Sequence, residues 1–269
     1  MVPVIALSNP TPAMTPRTSA RLLYSIALAA ITAWGAIACQ ADDSTAHQDA
    51  RFADIVIAAP GANDGRYGDP QFATDGVHGA GERAGNADDV FTMGHREPLT
   101  LSWSERSVCN GAGVDFVIFE NAFRIGDAQQ HFMEQAAVAL SNDGENFIVF
   151  PHDYTAPDET LYSDDPSHWQ GFAGVQPVLF NADTHRVDPF DADLAGGDAF
   201  DLDDLPDDGA LGTEIRRHGF RYLRLIPASA LTNPDTGQPF PKDPMSNGPD
   251  IDGVAAQWLA PAGTCTSAP

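Results

Sequence analysis

Residues Met133–Phe150 read MEQAAVALSNDGENFIVF, and this stretch decides the fold. A mostly apolar run from Met133 to Ser141 enters Asn142-Asp143-Gly144-Glu145 and returns as Asn146-Phe147-Ile148-Val149-Phe150. Helix propensity favours Ala136 and Ala137. Asp-Gly, however, supplies the positive φ of a tight hairpin turn, and the return segment is rich in β-formers. The stretch therefore predicts two antiparallel strands.

Outward from the hairpin the same character continues. Val114–Glu120 (VDFVIFE) is apolar on both faces, as a strand in the middle of a sandwich should be. Asp54–Ala59 ends at Pro60-Gly61, Phe220–Ile226 ends at Pro227, and a last strand runs from about Ile251 to Leu259. Val90–Gly94 and Leu99–Trp103 flank a turn-like His95-Arg96-Glu97-Pro98 and read as adjacent strands. Residues 61–89 read as loop, and residues 151–215 are dominated by Asp, Gly, Pro and aromatics without periodicity. With no amphipathic helix and no repeat, the expectation is all-β: an antiparallel β-sandwich with long acidic loops, one domain over 53–263 and a tail at 264–269.

The N-terminus carries a different signal. Arg17 and Arg21 are the only charges in the first 39 residues, and an apolar run from Leu22 follows them through Trp34 to Ile37. This is the pattern of an export signal, with a core short for a membrane span. The run ends in Ala36-Ile37-Ala38-Cys39, which resembles the bacterial lipobox. The resemblance implies lipidation of Cys39, a lipoprotein signal over 1–39 and a tether over 40–52; the alternative is an ordinary secretory signal. Gln40 after the cysteine leans toward outer-membrane sorting. Met14 offers a second start, which would make residues 1–13 an extension.

Two of the 14 basic residues and none of the 38 acids lie in the leader, so the rest of the chain carries a formal charge of −26. Such a surface repels nucleic acid and attracts divalent cations. Beyond Cys39 only Cys109 and Cys265 remain. In an oxidising compartment they predict a disulfide, the alternative being two free thiols.

Three acidic motifs stand out: Glu120-Asn121 at the end of a buried strand, Gly196-Gly197-Asp198 with Asp201, and Gly248-Pro249-Asp250-Ile251-Asp252. Calcium takes six to eight oxygens from carboxylates, amides and carbonyls, and glycine lets the backbone turn toward it. Asp250 and Asp252, two apart, would share one face of a strand. Glu120, Asn121, Asp198, Asp201, Asp250 and Asp252 are therefore the candidate ligands of a structural Ca²⁺; solvated loop carboxylates are the plainer alternative.

DFVIFENAF (115–123), AVALSNDGENF (137–147), AGGDAFDL (195–202) and SNGPDIDGVA (246–255), in that order, resemble a family of bacterial cell-surface proteins and lipoproteins. The resemblance spans roughly 54–259 and implies placement in the envelope without naming a chemistry. The hairpin, with FRYLRLIP (220–227) and DIDGVAAQW (250–258), is also similar to discoidin and galactose-binding-like jelly rolls. That similarity implies loops that bind glycans or other surface ligands and a structural Ca²⁺. The long acidic insertion and the acids of the last strand depart from it.

Tyr162, His168 and Trp169, with Tyr154 and Phe172, are candidates for a sugar-stacking platform, the alternative being packing of the long loop. The chain holds no GxSxG, HExxH, P-loop or dinucleotide motif. His131 and Glu134 form a lone HxxE on an expected strand, where residues three apart face opposite ways. The expectation is a lipid-anchored binding module for glycan or another envelope component, held to the membrane through Cys39. A hydrolase acting on polysaccharide through a carboxylate pair and a purely structural envelope protein are the alternatives.

Overall fold

The hairpin forms where Asp-Gly places it: Ala139 pairs with Val149 and Leu140 with Ile148, with Gly144 at φ +78°. The computed structural model describes residues 51–127, 129–206 and 209–266; Cys39, the leader and all but the end of the tether lie outside them. Its strands are β1 (Ile55–Ala58), β2 (Phe91–Thr92), β3 (Leu99–Ser102), β4 (Arg106–Val108), β5 (Phe116–Glu120), β6 (Phe123–Arg124), β7 (His131–Phe132) and β8 (Ala136–Ser141). They continue as β9 (Ile148–Val149), β10 (Asp153–Tyr154), β11 (Trp169–Gln170), β12 (Asp198–Phe200), β13 (Tyr222–Pro227), β14 (Asp250–Ala256) and β15 (Leu259–Pro261).

Two antiparallel sheets dominate, in the orders β1-β3-β13-β8-β9 and β12-β5-β14-β2. This is the expected all-β sandwich. Leu99, Leu101, Val138, Leu140, Leu223 and Leu225 of the first sheet face Phe116, Ile118, Ile251, Val254 and Ala256 of the second. Alternate residues of the second sheet, Val117, Phe119 and Ala255, pack outward against Val77, Val178 and Phe180. Every residue of β5 is accordingly buried. Long loops, rather than solvent, cover its outer face.

Two expectations are corrected. β2 and β3 are not neighbours: β2 pairs with β14 and β3 with β1 and β13, so His95–Pro98 carries the chain from one sheet to the other. Residues 61–89 are loop with little regular structure, as expected, broken by one 3₁₀ turn, Pro70–Ala73, capped by the Asp69 side chain. Residues 151–215 hold short strands, and a nine-residue helix, Ala210–His218, begins within them and runs past their end, its Ile215 and Leu211 packing on the main core. One i,i+4 apolar pair is too little for periodicity to reveal a helix.

β15 pairs with β4 through Leu259 and Val108, which brings the C-terminal segment to Cys109. Cys109 and Cys265 form a disulfide with Cα atoms 5.4 Å apart. Phe116 lies under three other rings: stacked on Phe200 with centroids 5.2 Å apart and edge-on to Phe150 and Phe220. Phe116→Ala is expected to lower the unfolding free energy by about 3–5 kcal/mol, because both transfer and cavity terms are lost. Chemical denaturation measures this, with exposed Ile57→Ala as a near-silent control.

Candidate functional site

β5 ends at Glu120, and the β5–β14 register sets Ile251 opposite it. Asp250 therefore begins β14 beside Glu120, and its N–H donates to Glu120 Oε1 at 3.2 Å. Glu134 reaches the same place from the segment between β7 and β8, its Oε1 accepting from Gly248 N at 2.7 Å. Asp250 Oδ1 accepts a short hydrogen bond from Thr92 Oγ1. The Asn121 side chain also bonds Asp250, while Asn121 Oδ1 takes the N–H of Asn86 at 2.6 Å.

Two glycines make the approach possible. Gly248 sits at φ +109°, and a Cβ there would meet the Gly94 backbone at 2.3 Å. Gly174, at φ +84°, lies where a Cβ would fall 2.4 Å from Glu134 O and 3.3 Å from Glu120 Cγ. Any other residue at either position would push the chain away from the carboxylates.

The electrostatics are severe. Glu120 is 1%, Glu134 4% and Asp250 8% exposed. Burial, followed by the charges of Glu134 and Asp250, holds Glu120 well above the usual carboxylate range. Burial and Asp250 push Glu134 up to about 8, and burial raises Asp250. Among the described residues no Lys, Arg or His makes an ion pair with any of the three.

Of the six sequence candidates, Glu120, Asn121 and Asp250 come together. Asp198 does not join them as a free ligand: its Oδ2 accepts from Gly174 N and Val175 N at 2.7 and 3.1 Å, and burial lifts it to about 7. It fixes the 174–175 turn and adds charge near Glu120. Asp201 caps the 3₁₀ turn Leu202–Asp204 through Asp203 N. Asp252 turns to other partners, since an irregularity in β14 between Ile251 and Gly253 breaks the simple alternation. Both of its oxygens accept from His78 N, at 2.9 and 3.0 Å.

Asp252 leads to a second group. One ligand atom each from Asp75, His78 and Asp89 lies within 4.8 Å of the others, and His78 Nδ1 lies 2.7 Å from Asp89 Oδ2. His78 also walls an open cleft of 590 Å³ with Asn86, Asn181, Thr184, His185 and Leu194. Sequence reasoning missed Asp75, His78 and Asp89, which sit in the segment read as loop, and Glu134. Glu134 precedes β8, so the strand alternation that separated it from His131 does not apply. His131 itself points to Val175 O at 2.7 Å.

The aromatic platform is not formed. Trp169 is 1% exposed, with Nε1 donating to Ser163 O, and its ring lies 4.0 Å from that of Tyr154. Tyr162 donates to Met133 O, and His168 Nδ1 meets Ser163 Oγ. Tyr154, Tyr162, Trp169 and Phe172 pack the long loop onto the sandwich. Compared with known proteins, the chain matches no family model, no curated protein and no solved structure.

The carboxyls give the fold a pH signature. Glu134 and Asp198 have folded-state values raised to about 8 and about 7 from 4.5 and 3.8. Their protonated forms favour the folded state, so this stability is complete at acid pH and is lost as pH rises through those values. With divalent cations chelated, the melting temperature is expected to fall between pH 5 and pH 8. A rise over that window would contradict the burial of these groups.

Proposed function

We propose that this chain is an exported, lipid-anchored surface protein whose β-sandwich binds a glycan of the cell envelope in the cleft beside His78. What supports binding over polysaccharide hydrolysis is the position of the converging acids. Glu120, Glu134 and Asp250 are buried, out of reach of a polymer, whereas the open cleft presents amide, hydroxyl and imidazole groups and a single carboxylate, Asp193, rather than the pair that hydrolysis needs. Its 590 Å³ falls in the range of small-ligand sites. Asn86, Asn181, Thr184 and His185 offer the donors and acceptors that sugar hydroxyls need, and Leu194, 49% exposed, offers an apolar surface to sugar C–H groups.

The export reading rests on the leader and on the Cys109–Cys265 disulfide, a bond that suits an oxidising compartment. The cell-surface resemblance and the charge of −26 agree with it.

Cys39→Ser is expected to abolish palmitate labelling and to release the protein from the membrane fraction. Retention of label would place the anchor elsewhere. In a glycan array, His185→Ala with Leu194→Ala is expected to weaken binding about 10-fold or more, the loss of a hydrogen bond and an apolar contact, at unchanged melting temperature. Release of soluble sugar from envelope polysaccharide, or binding indifferent to the double variant, would overturn the reading.

A further inference from the structure

Side chains grip the backbone of His78 from both directions. Its N–H donates to both oxygens of Asp252, at 2.9 and 3.0 Å, and its C=O accepts from Asn86 Nδ2 at 2.8 Å. Asn86 N in turn donates to Asn121 Oδ1, which ties the 86–89 segment to the end of β5. Glycines allow the approach. Gly76, at φ +129°, turns the chain so that Asp75 and His78 reach the same place. Val77 between them is buried, packed where a Cβ on Gly253 would fall 2.7 Å from its Cγ2. The 75–78 segment, the 86–89 segment and the start of β14 therefore meet at one imidazole.

That ring is not satisfied by its neighbours. Nδ1 is buried and makes no hydrogen bond, although Asp89 Oδ2 lies 2.7 Å away. An imidazole nitrogen inside a protein needs a partner, whether it carries a proton or a lone pair. Protonation does not supply one, because an Nδ1–H would be left as unpaired as the bare nitrogen. Asp252 is 2% exposed and has one N–H for two carboxylate oxygens, and the charges of Asp75 and Asp89 bear on it. Three carboxylates thus gather around a ring nitrogen that has no partner.

A metal ion answers both needs. One ligand atom each from Asp75, His78 and Asp89 lies within 4.8 Å of the others. Bonds of about 2.0–2.2 Å to an ion set neighbouring ligand atoms about 3–3.5 Å apart, so small rotations of the exposed Asp75 complete the group. One imidazole with two carboxylates suits a first-row transition ion better than calcium, which takes six to eight oxygens. On the other side of the ring, Nε2 faces Asp183 Oδ2 at 3.9 Å, where a carboxylate orients a ligating histidine. Asp75, His78 and Asp183 also wall a recess of 220 Å³, which gives an ion a path in from solvent. Arg186 lines the same recess and donates through Nε to Ala182 O.

We propose that Asp75, His78 and Asp89 hold one divalent transition-metal ion of zinc type, through His78 Nδ1 and one oxygen of each aspartate, with water completing its coordination. Asp252 and Asn86 position His78 and do not touch the ion. The site adjoins the open cleft, with which it shares His78, and does not rest on glycan binding there.

Isothermal titration of the purified full chain, stripped of metal, with ZnCl₂ tests it. One site per chain is expected, and zinc at a hundredfold excess over Kd should raise the melting temperature by roughly 5–10 °C. Calcium at tenfold excess over zinc should leave the isotherm unchanged. Asp75→Asn, at an exposed position, should weaken zinc binding by at least the roughly 10-fold that losing a supporting contact costs. His78→Ala should abolish the one-site heat. Should His78→Ala fail to fold, Asp89→Asn read in the same titration replaces it. The His185→Ala, Leu194→Ala variant should bind zinc as the wild type does, so that metal binding and glycan binding are read separately. Absence of heat with Zn²⁺, heat that survives unchanged in Asp75→Asn or in His78→Ala, or loss of zinc binding in the His185→Ala, Leu194→Ala variant would overturn the assignment.

Discussion

Water solvates a carboxylate far better than a protein interior does, so a chain that buries three acids at one point must compensate them there. Glu120, Glu134 and Asp250 impose that constraint on one end of this sandwich. They cannot escape it by moving. Glu120 ends β5, which is buried on both faces, and Asp250 is locked to it by register. Glu134 is held by Gly248, whose own position tolerates no Cβ. The sheets therefore fix the acids, and the acids fix the loops that cross above them.

The layered construction separates the interior carboxyls from the open cleft. A five-stranded and a four-stranded sheet enclose the aromatic core around Phe116, and the outer face of the second sheet is covered by the 74–82 and 175–197 loops. Those loops do two things. They bring Gly174 and Val175 onto Asp198, closing the interior around Glu120, and they frame the cleft at His78. Interior carboxyls thus belong to the fold, while the accessible cleft presents amide, hydroxyl and imidazole groups together with Asp193.

Much of the fold was legible in the sequence because local rules acted alone. Asp143-Gly144 fixed the hairpin, and an uninterrupted apolar run marked β5 as a strand buried on both sides. Where tertiary context decided, reading failed. Nothing between Val90 and Trp103 tells that Pro98 leads into a different sheet, and Leu211 with Ile215 is too short a pattern to announce a helix. The site was half legible for the same reason. Glu120, Asn121 and Asp250 stand beside recognisable strand ends, whereas Glu134 joins them only through a three-dimensional approach allowed by Gly174 and Gly248. Asp198, Asp201 and Asp252 shared the composition of ligands, but a turn, a cap and His78 had already taken their oxygens. The aromatic residues at 154–172 show the converse: rings in a polar loop are as apt to be its own small core as a surface for sugars.

The most direct measurement is a carbon-13 NMR titration of the Glu134 side-chain carboxyl. The expected result is a midpoint near 8, because the group is buried and lies close to Asp250. A midpoint at the ordinary glutamate value of about 4.3 would contradict the account of a sandwich that closes over its own acids.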